Sequence, residues 1–462
     1  MSFRLVPGLA AILAAAAVPL FGTAKDRGFG VDLGCDHADC FYRTGETCVF
    51  EAKGLADARG TAVTNGAVDY VIDNFGTNVF VRGRIDFATG NPVRISFRPP
   101  EPGCYRLRLL ESAKFNGKGR LVRGPNDWGI ACEPEKLRKG SESPDDFDAF
   151  WAAARAACAK LPLDEKVERV DSRCNARYDV YAVSFATVGR PGARVYGVMS
   201  VPKGAPGERF PLQVTVPGAG FGGWTESFKP KKDRVCLMMG VLPWVPGNGV
   251  DSLDRERDFE RLNADCAAHY GDRLGGITPY YLMWGIEQSR EDYYLYPVVL
   301  GIDRAVEWAA TRDYVDPERV WYWGTSQGGY FGVMLTALNR RFTRAAIFVP
   351  GGSDVLGARK GRPSGNPRPY ENFAAAPELC ARAVANAVYF DGANFASRIR
   401  CPCTFVAGLA DATCPPPGIW ATYNEVKAED RRIVTVPGMT HMVTGKVYGE
   451  IGKWLVFGQR DK

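Results

Sequence analysis

The chain has 462 residues, 46% hydrophobic and 24% charged, an ordinary globular composition with ample material for a large core. Its formal net charge is +6, yet no dense Lys/Arg run and no nucleic-acid-binding motif occurs, which argues against a nucleic-acid partner. Beyond the first 24 residues no segment is apolar for long enough to span a bilayer.

At the N-terminus, Arg4 precedes an apolar stretch from Leu9 to Phe21, followed by the small residues Gly22-Thr23-Ala24. That is the pattern of a cleaved export signal over residues 1–24, and Pro19 interrupts it as a spanning helix. The expected mature protein is periplasmic or extracellular, with no membrane attachment after cleavage. Export permits disulfides, and the 13 cysteines all lie downstream of Ala24. Cys35, Cys40, Cys48, Cys104 and Cys132 cluster early enough to staple a small domain, with a connectivity the spacing leaves open. No metal is expected: Cys401-Pro402-Cys403 lacks a second pair, and the chain has three histidines.

Residues 25–132 read as a β-sandwich-like domain. Short alternating or β-branched runs occur at Cys48–Ala52, Val68–Ile72, Asn78–Phe87, Val93–Phe97 and Cys104–Leu110, separated by Gly, Pro, Asn and Asp. A polar linker, 133–144, follows. Helix-like spacing then starts at Asp145, placing Phe147, Phe150 and Trp151 on one face. From there strands alternate with helices. The predicted strands are Tyr178–Phe185, Val195–Val201, Leu212–Val216, Val235–Met238, Val320–Trp323, Ala345–Val349, Thr404–Ala407 and Ile433–Val436. The predicted helices are Pro297–Thr311 and Tyr330–Leu338. This is the pattern of an α/β unit over 145–462, a mostly parallel sheet with helices on both faces. The irregular, aromatic-rich stretch Pro243 to Asp292, which contains Trp244, reads as a pocket-forming insertion.

Gly324-Thr325-Ser326-Gln327-Gly328 stands between a predicted strand and a predicted helix. G-x-S-x-G in that setting is the nucleophile elbow of an α/β-hydrolase, a sharp turn that exposes the serine hydroxyl above the sheet. Serine needs a base, and in this fold the acid and then the histidine follow it in the chain. Of His37, His269 and His441, only His441 comes after Ser326. For the acid, Asp411 follows the strand that ends at Gly408, with Asp354, Asp391 and Glu425 as alternatives. The backbone N–H of Gln327 is one expected oxyanion donor; the second is Ala219 or Gly220 in Pro217-Gly218-Ala219-Gly220-Phe221-Gly222-Gly223-Trp224. Phe221, Trp224 and Trp244 are the candidate substrate-contacting aromatics.

Asp146-Phe147-Asp148-Ala149-Phe150-Trp151, Asp303-Arg304-Ala305-Val306-Glu307, Ser326-Gln327-Gly328-Gly329, Gly408-Leu409-Ala410-Asp411 with Cys414-Pro415-Pro416, and Tyr423-Asn424 form a recognisable set. Together they resemble the acetyl xylan esterase and cephalosporin-C deacetylase family of α/β-hydrolases over about residues 145–450. The resemblance favours Asp411 over Asp354. It implies a serine esterase that removes acetyl groups through an acyl-enzyme, without a cofactor. The implied partner is an acetylated oligosaccharide or another small acetyl ester, and a homo-oligomer is possible because relatives form ring-like assemblies. Three departures stand out: Pro217-Gly218-Ala219 replaces the family's H-G-Y, its R-G-Q is absent, and His441-Met442 replaces H-E. The rival readings are an esterase or peptidase of the same fold with another acyl substrate, and a non-catalytic carbohydrate-binding protein.

Overall fold

The computed structural model describes residues 28–458 apart from 77, 117, 125, 220–227 and 243–280. The expected export signal and most of the aromatic insertion therefore lie outside the described residues.

Among the described residues, ten strands come first: β1 (Gly30–Cys35), β2 (Phe41–Tyr42), β3 (Cys48–Leu55), β4 (Ala67–Asp73), β5 (Val79–Asp86), β6 (Val93–Phe97), β7 (Gly103–Leu110), β8 (Ala113–Phe115), β9 (Leu121–Arg123) and β10 (Asp127–Cys132). They form a three-stranded sheet in the order β1-β3-β6, a five-stranded sheet in the order β2-β10-β7-β4-β5, and the β8-β9 hairpin. Val31, Phe50 and Ile95 of the first sheet share one apolar core with Ile72, Ile85, Leu107 and Ile130 of the second. The alternating inward positions that made β3 to β7 legible supply most of that core. β1 and β10 carry glycines and polar residues among their apolar ones and gave no comparable pattern.

Among the described residues, the large C-terminal sheet has nine strands. They are β11 (Lys166–Arg169), β12 (Tyr178–Ala186), β13 (Arg194–Pro202), β14 (Phe210–Val216), β15 (Val235–Met239), β16 (Val315–Thr325), β17 (Arg344–Phe348), β18 (Cys403–Gly408) and β19 (Arg431–Val436), in the order β11-β12-β13-β15-β14-β16-β17-β18-β19. From β15 to β19 every pairing is parallel, while β11-β12, β12-β13 and β13-β15 are antiparallel. The central strands are buried on both faces, and every residue of β18 is buried. The edge strand β11 is exposed throughout, so it has no apolar pattern to read.

The helices are α1 (Phe147–Lys160), α2 (Leu295–Ala310), α3 (Gln327–Leu338), α4 (Pro377–Ala387), α5 (Pro416–Asn424) and α6 (Gly445–Phe457), with shorter turns between them. α1 buries Phe147, Phe150, Trp151, Ala154 and Cys158, the face expected from their spacing. Pro416 and Pro417 have a defined place in the fold. They occupy the first turn of α5, where a missing N–H costs no helix bond.

The two sheet systems are joined over a broad contact. Leu409, Trp420 and Ala421 belong to the apolar core of the N-terminal sheets, and the Phe41 ring meets Trp420 edge-on at 6.0 Å. The polar segment 133–144 is no free spacer. Gly140 N–H donates to Asp354 (2.5 Å), the Ser141 hydroxyl to Asp391 (2.6 Å), Lys139 to Asn394 (2.9 Å), and Asn424 to the carbonyls of Pro134 and Leu137 (both 2.9 Å).

Candidate active site

β16 ends at Thr325 and α3 begins at Gln327, leaving Ser326 alone on the bend with φ +61° and ψ −118°. A non-glycine residue in that region is strained and is held there by its neighbours. Ser326 N–H donates to the Phe348 carbonyl (2.9 Å), and the Ser326 carbonyl accepts from Tyr330 (2.9 Å) and Gly351 (3.1 Å). The flanking glycines are sterically required. A Cβ on Gly328 would lie 2.1 Å from the Val216 carbonyl oxygen, and one on Gly324 would lie 2.3 Å from that of Gly328. The turn therefore packs α3 directly against β14 and keeps the serine hydroxyl at the carboxyl end of the central strands.

His441 reaches this hydroxyl from the loop after β19. Its Nε2 is 3.0 Å from Ser326 Oγ, and its Nδ1 is 2.9 Å from Asp411 Oδ2. With the proton on Nδ1, the imidazole donates to Asp411 and leaves Nε2 free to accept from the serine. Asp411 is fully buried, and its other oxygen accepts from the N–H groups of Thr413 (2.8 Å) and Cys414 (3.0 Å), which fixes the carboxylate plane. The loops carrying the acid and the base are laced together: Leu409 N–H donates to Val436 (2.9 Å) and Ala410 N–H to Met439 (3.1 Å).

The alternative acids are engaged elsewhere. Asp354 pairs with Arg362 and Gly140, Asp391 caps the short helix Gly392–Ala396, and Glu425 lies 3.8 Å from Lys139. Burial pushes the Asp354 carboxyl up, and burial followed by repulsion from Asp354 pushes Asp391 up to about 7. His37 stays in the N-terminal sheets, stacked on Tyr42 with its Nδ1 2.9 Å from the Phe41 carbonyl. His269 lies outside the described residues.

Gln327 begins α3, where backbone N–H groups lack intrahelical partners and the helix dipole is positive. Sequence reasoning assigned it through its N–H alone. The structure adds a role for its side chain: Nε2 donates to the Pro217 carbonyl (3.2 Å), with that of Gly218 at 3.5 Å, while Oε1 accepts from the Tyr281 hydroxyl (2.5 Å). The amide thus ties the loop after β14 to the elbow. Ala219 is exposed on this loop, two residues beyond the tethered Pro217; Gly220, Phe221, Trp224 and Trp244 lie outside the described residues. Gln327→Ala should release the loop and lower kcat on an acetyl ester by roughly ten- to a hundredfold, the range for small misplacements of a catalytic group. Steady-state kinetics beside a thermal melt would separate this from unfolding.

Cys414 lines the site beside Asp411 and His441. Its buried Sγ lies within 4.8 Å of the ligand atoms of Asp411 and His441, and burial, reinforced by the Asp411 charge, pushes its thiol up. It is a neutral wall of the site at ordinary pH. A groove of about 640 Å³, lined by Arg359, Tyr370, Phe373 and Cys380 among others, includes none of Ser326, Asp411 and His441.

A mostly parallel sheet with this elbow and an acid and imidazole on the next loops defines an α/β-hydrolase, and solved structures bear the fold out. An acetyl xylan esterase from Paenibacillus sp. R4 is 23% identical with a TM-score of 0.56, covering 70% of this chain and 98% of that one. Acetyl xylan esterase 1 from Thermoanaerobacterium sp. JW/SL YS485 is 18% identical with a TM-score of 0.56, covering 70% and 96%. The family model described as acetyl xylan esterase (AXE1) matches residues 133–456. The chain belongs to that family and is a carboxylic ester hydrolase, which sets aside the non-catalytic reading. It is also similar to acetyl esterase Axe7A of Xylanibacter ruminicola, 25% identical over 425 residues that cover 91% of this chain and 88% of that one. The family match starts just after β10, so the N-terminal sheets stand outside it.

Proposed function

We propose that this protein removes acetyl groups from the hydroxyls of acetylated sugars, xylo-oligosaccharides among them, through an acyl-enzyme on Ser326. The observation that carries the acyl-transfer chemistry is the continuous relay from Asp411 through His441 to Ser326, with contacts of 2.9 and 3.0 Å; the family match supports acetyl as the group removed. His441 takes the serine proton as Oγ attacks the ester carbonyl, and Asp411 stabilises the imidazolium. The tetrahedral oxyanion sits against the Gln327 N–H and a second N–H from the loop after β14, Ala219 or Gly220. His441 then gives its proton to the departing sugar alkoxide. Water, deprotonated by the same imidazole, attacks the acetyl-serine and releases acetate. Phe221, Trp224 and Trp244 are the proposed sugar-facing side chains. Cleavage after Ala24 and export to the periplasm or beyond would place the enzyme where polysaccharide fragments occur; the signal-like N-terminus supports this.

Acetate release from acetylated xylo-oligosaccharides, other acetylated sugars, a butyryl ester and a peptide amide tests the proposal. The expected kcat/KM for acetyl exceeds that for butyryl by about tenfold or more, since added methylenes are costly in a pocket shaped for a methyl group. Faster turnover of the butyryl ester or the amide would overturn the acetyl assignment.

A further inference from the structure

The five early cysteines are not equivalent. Cys48, Cys104 and Cys132 are buried in strands, whereas Cys35 closes β1 half-exposed and Cys40 lies five residues beyond it, just before β2. The Sγ atoms of Cys35 and Cys40 are 2.7 Å apart, well inside the non-bonded contact of two sulfurs. Both also lie against one carbonyl, that of His37, at 3.2 and 3.4 Å.

The loop between them is built to hold this approach. Cys40 has φ +59°, and its N–H donates to His37 (3.1 Å). The Asp36 carboxylate accepts from the Tyr42 hydroxyl (2.6 Å) and Val49 N–H (3.1 Å), anchoring the loop to β2 and β3. Among the described residues no third His, Cys, Asp or Glu ligand atom converges on the pair, so the arrangement does not suit a metal. The hydrogen bond with the Cys40 thiol, aided by Tyr42 and Trp128, draws Cys35 down to about 6, which makes it the more nucleophilic partner at neutral pH.

We propose that Cys35 and Cys40 are a redox modification site, a dithiol that closes to an intrachain disulfide by exchange with a disulfide oxidant such as oxidised glutathione. The Cys35 thiolate attacks one sulfur of the oxidant, forming a mixed disulfide and expelling a glutathione thiolate. Cys40 loses its proton and attacks the Cys35 sulfur, expelling the second. Two protein thiols are oxidised, one glutathione disulfide is reduced to two thiols, and the protons leave with them. The bond would brace the wall behind Trp128, whose ring packs on Gly438, three residues before His441.

Trypsin isolates the pair: the peptide Gly28–Arg43 contains Cys35 and Cys40 and no other cysteine. The folded full chain is incubated with oxidised glutathione, blocked with an alkylating reagent and digested without reduction. The expected peptide is unalkylated and lighter by two hydrogens than the dithiol, and it takes two alkyl groups once reduced. A doubly alkylated peptide, or one cross-linked to a peptide bearing Cys48, Cys104 or Cys132, overturns the proposal. In Cys40→Ser the resolving thiol is gone, so Cys35 should retain glutathione; a Cys35 that stays unmodified refutes its role as the attacking sulfur.

Discussion

Ser326→Ala is expected to lower kcat on an acetyl ester by on the order of a millionfold, with little change in KM and an unchanged fold. The Ser326 hydroxyl is the elbow group that meets the imidazole, at 3.0 Å, whereas the Thr325 hydroxyl is paired with Tyr448. The Ser326 backbone bonds to Phe348, Tyr330 and Gly351 survive the substitution. His441→Ala should cost about as much, and the double variant scarcely more, because the two act as a unit. Asp411→Asn should cost on the order of ten-thousandfold, since an amide can donate to Nδ1 and so favour the wrong tautomer. Burst kinetics and mass detection of an acetylated Ser326 peptide check the assignment directly. Residual activity within about tenfold of the parent in Ser326→Ala would remove the serine from the mechanism.

The second large effect comes from a residue far from the elbow in sequence. Gly129 lies in β10, and a Cβ placed there would meet the Leu409 carbonyl oxygen at 1.7 Å. Its N–H donates to the Pro437 carbonyl at 3.2 Å. One strand of the N-terminal sheets therefore touches both the loop that carries Asp411 and the loop that carries His441. Gly129→Ala must push these loops away. The expected cost is about 1–3 kcal/mol of stability, the range for overpacking, and a further roughly ten- to a hundredfold loss in kcat from a displaced carboxylate and imidazole. Gly34→Ala is the matched control, since nothing lies within 4 Å of a Cβ there. Kinetics and melting temperature on both variants decide the matter: a kcat for Gly129→Ala within twofold of the parent would mean that β10 does not position the site.

The α/β unit was legible because its central strands are buried on both faces. Cys403–Gly408 and Arg344–Phe348 are short apolar runs between turn signals, and they stand within a residue or so of where the sequence put them. The elbow was legible because a backbone bend this tight dictates glycine at fixed offsets. His441 followed from chain order. Asp411 did not separate from Asp354 on local pattern, since both follow buried strands; the resemblance favoured it, and in space Asp354 turns out to be committed to Arg362. Three features stayed hidden for one reason. The Gln327 amide clamp, the seating of Gly129 on Leu409 and the pinning of residues 133–144 are contacts between segments distant in sequence, and no periodicity records them. The contributions of Phe221, Trp224 and Trp244 concern residues outside the described part of the chain.

The apolar interior that Leu409 and Trp420 share with the front sheets has an evolutionary corollary. A lineage could not shed residues 28–132 by a single deletion, because the remainder would bare an oily scar beside the loop that carries Asp411. Loss of the front piece would have to be accompanied by new polar side chains at Leu409, Trp420 and Ala421, and relatives lacking it should differ most at those three positions.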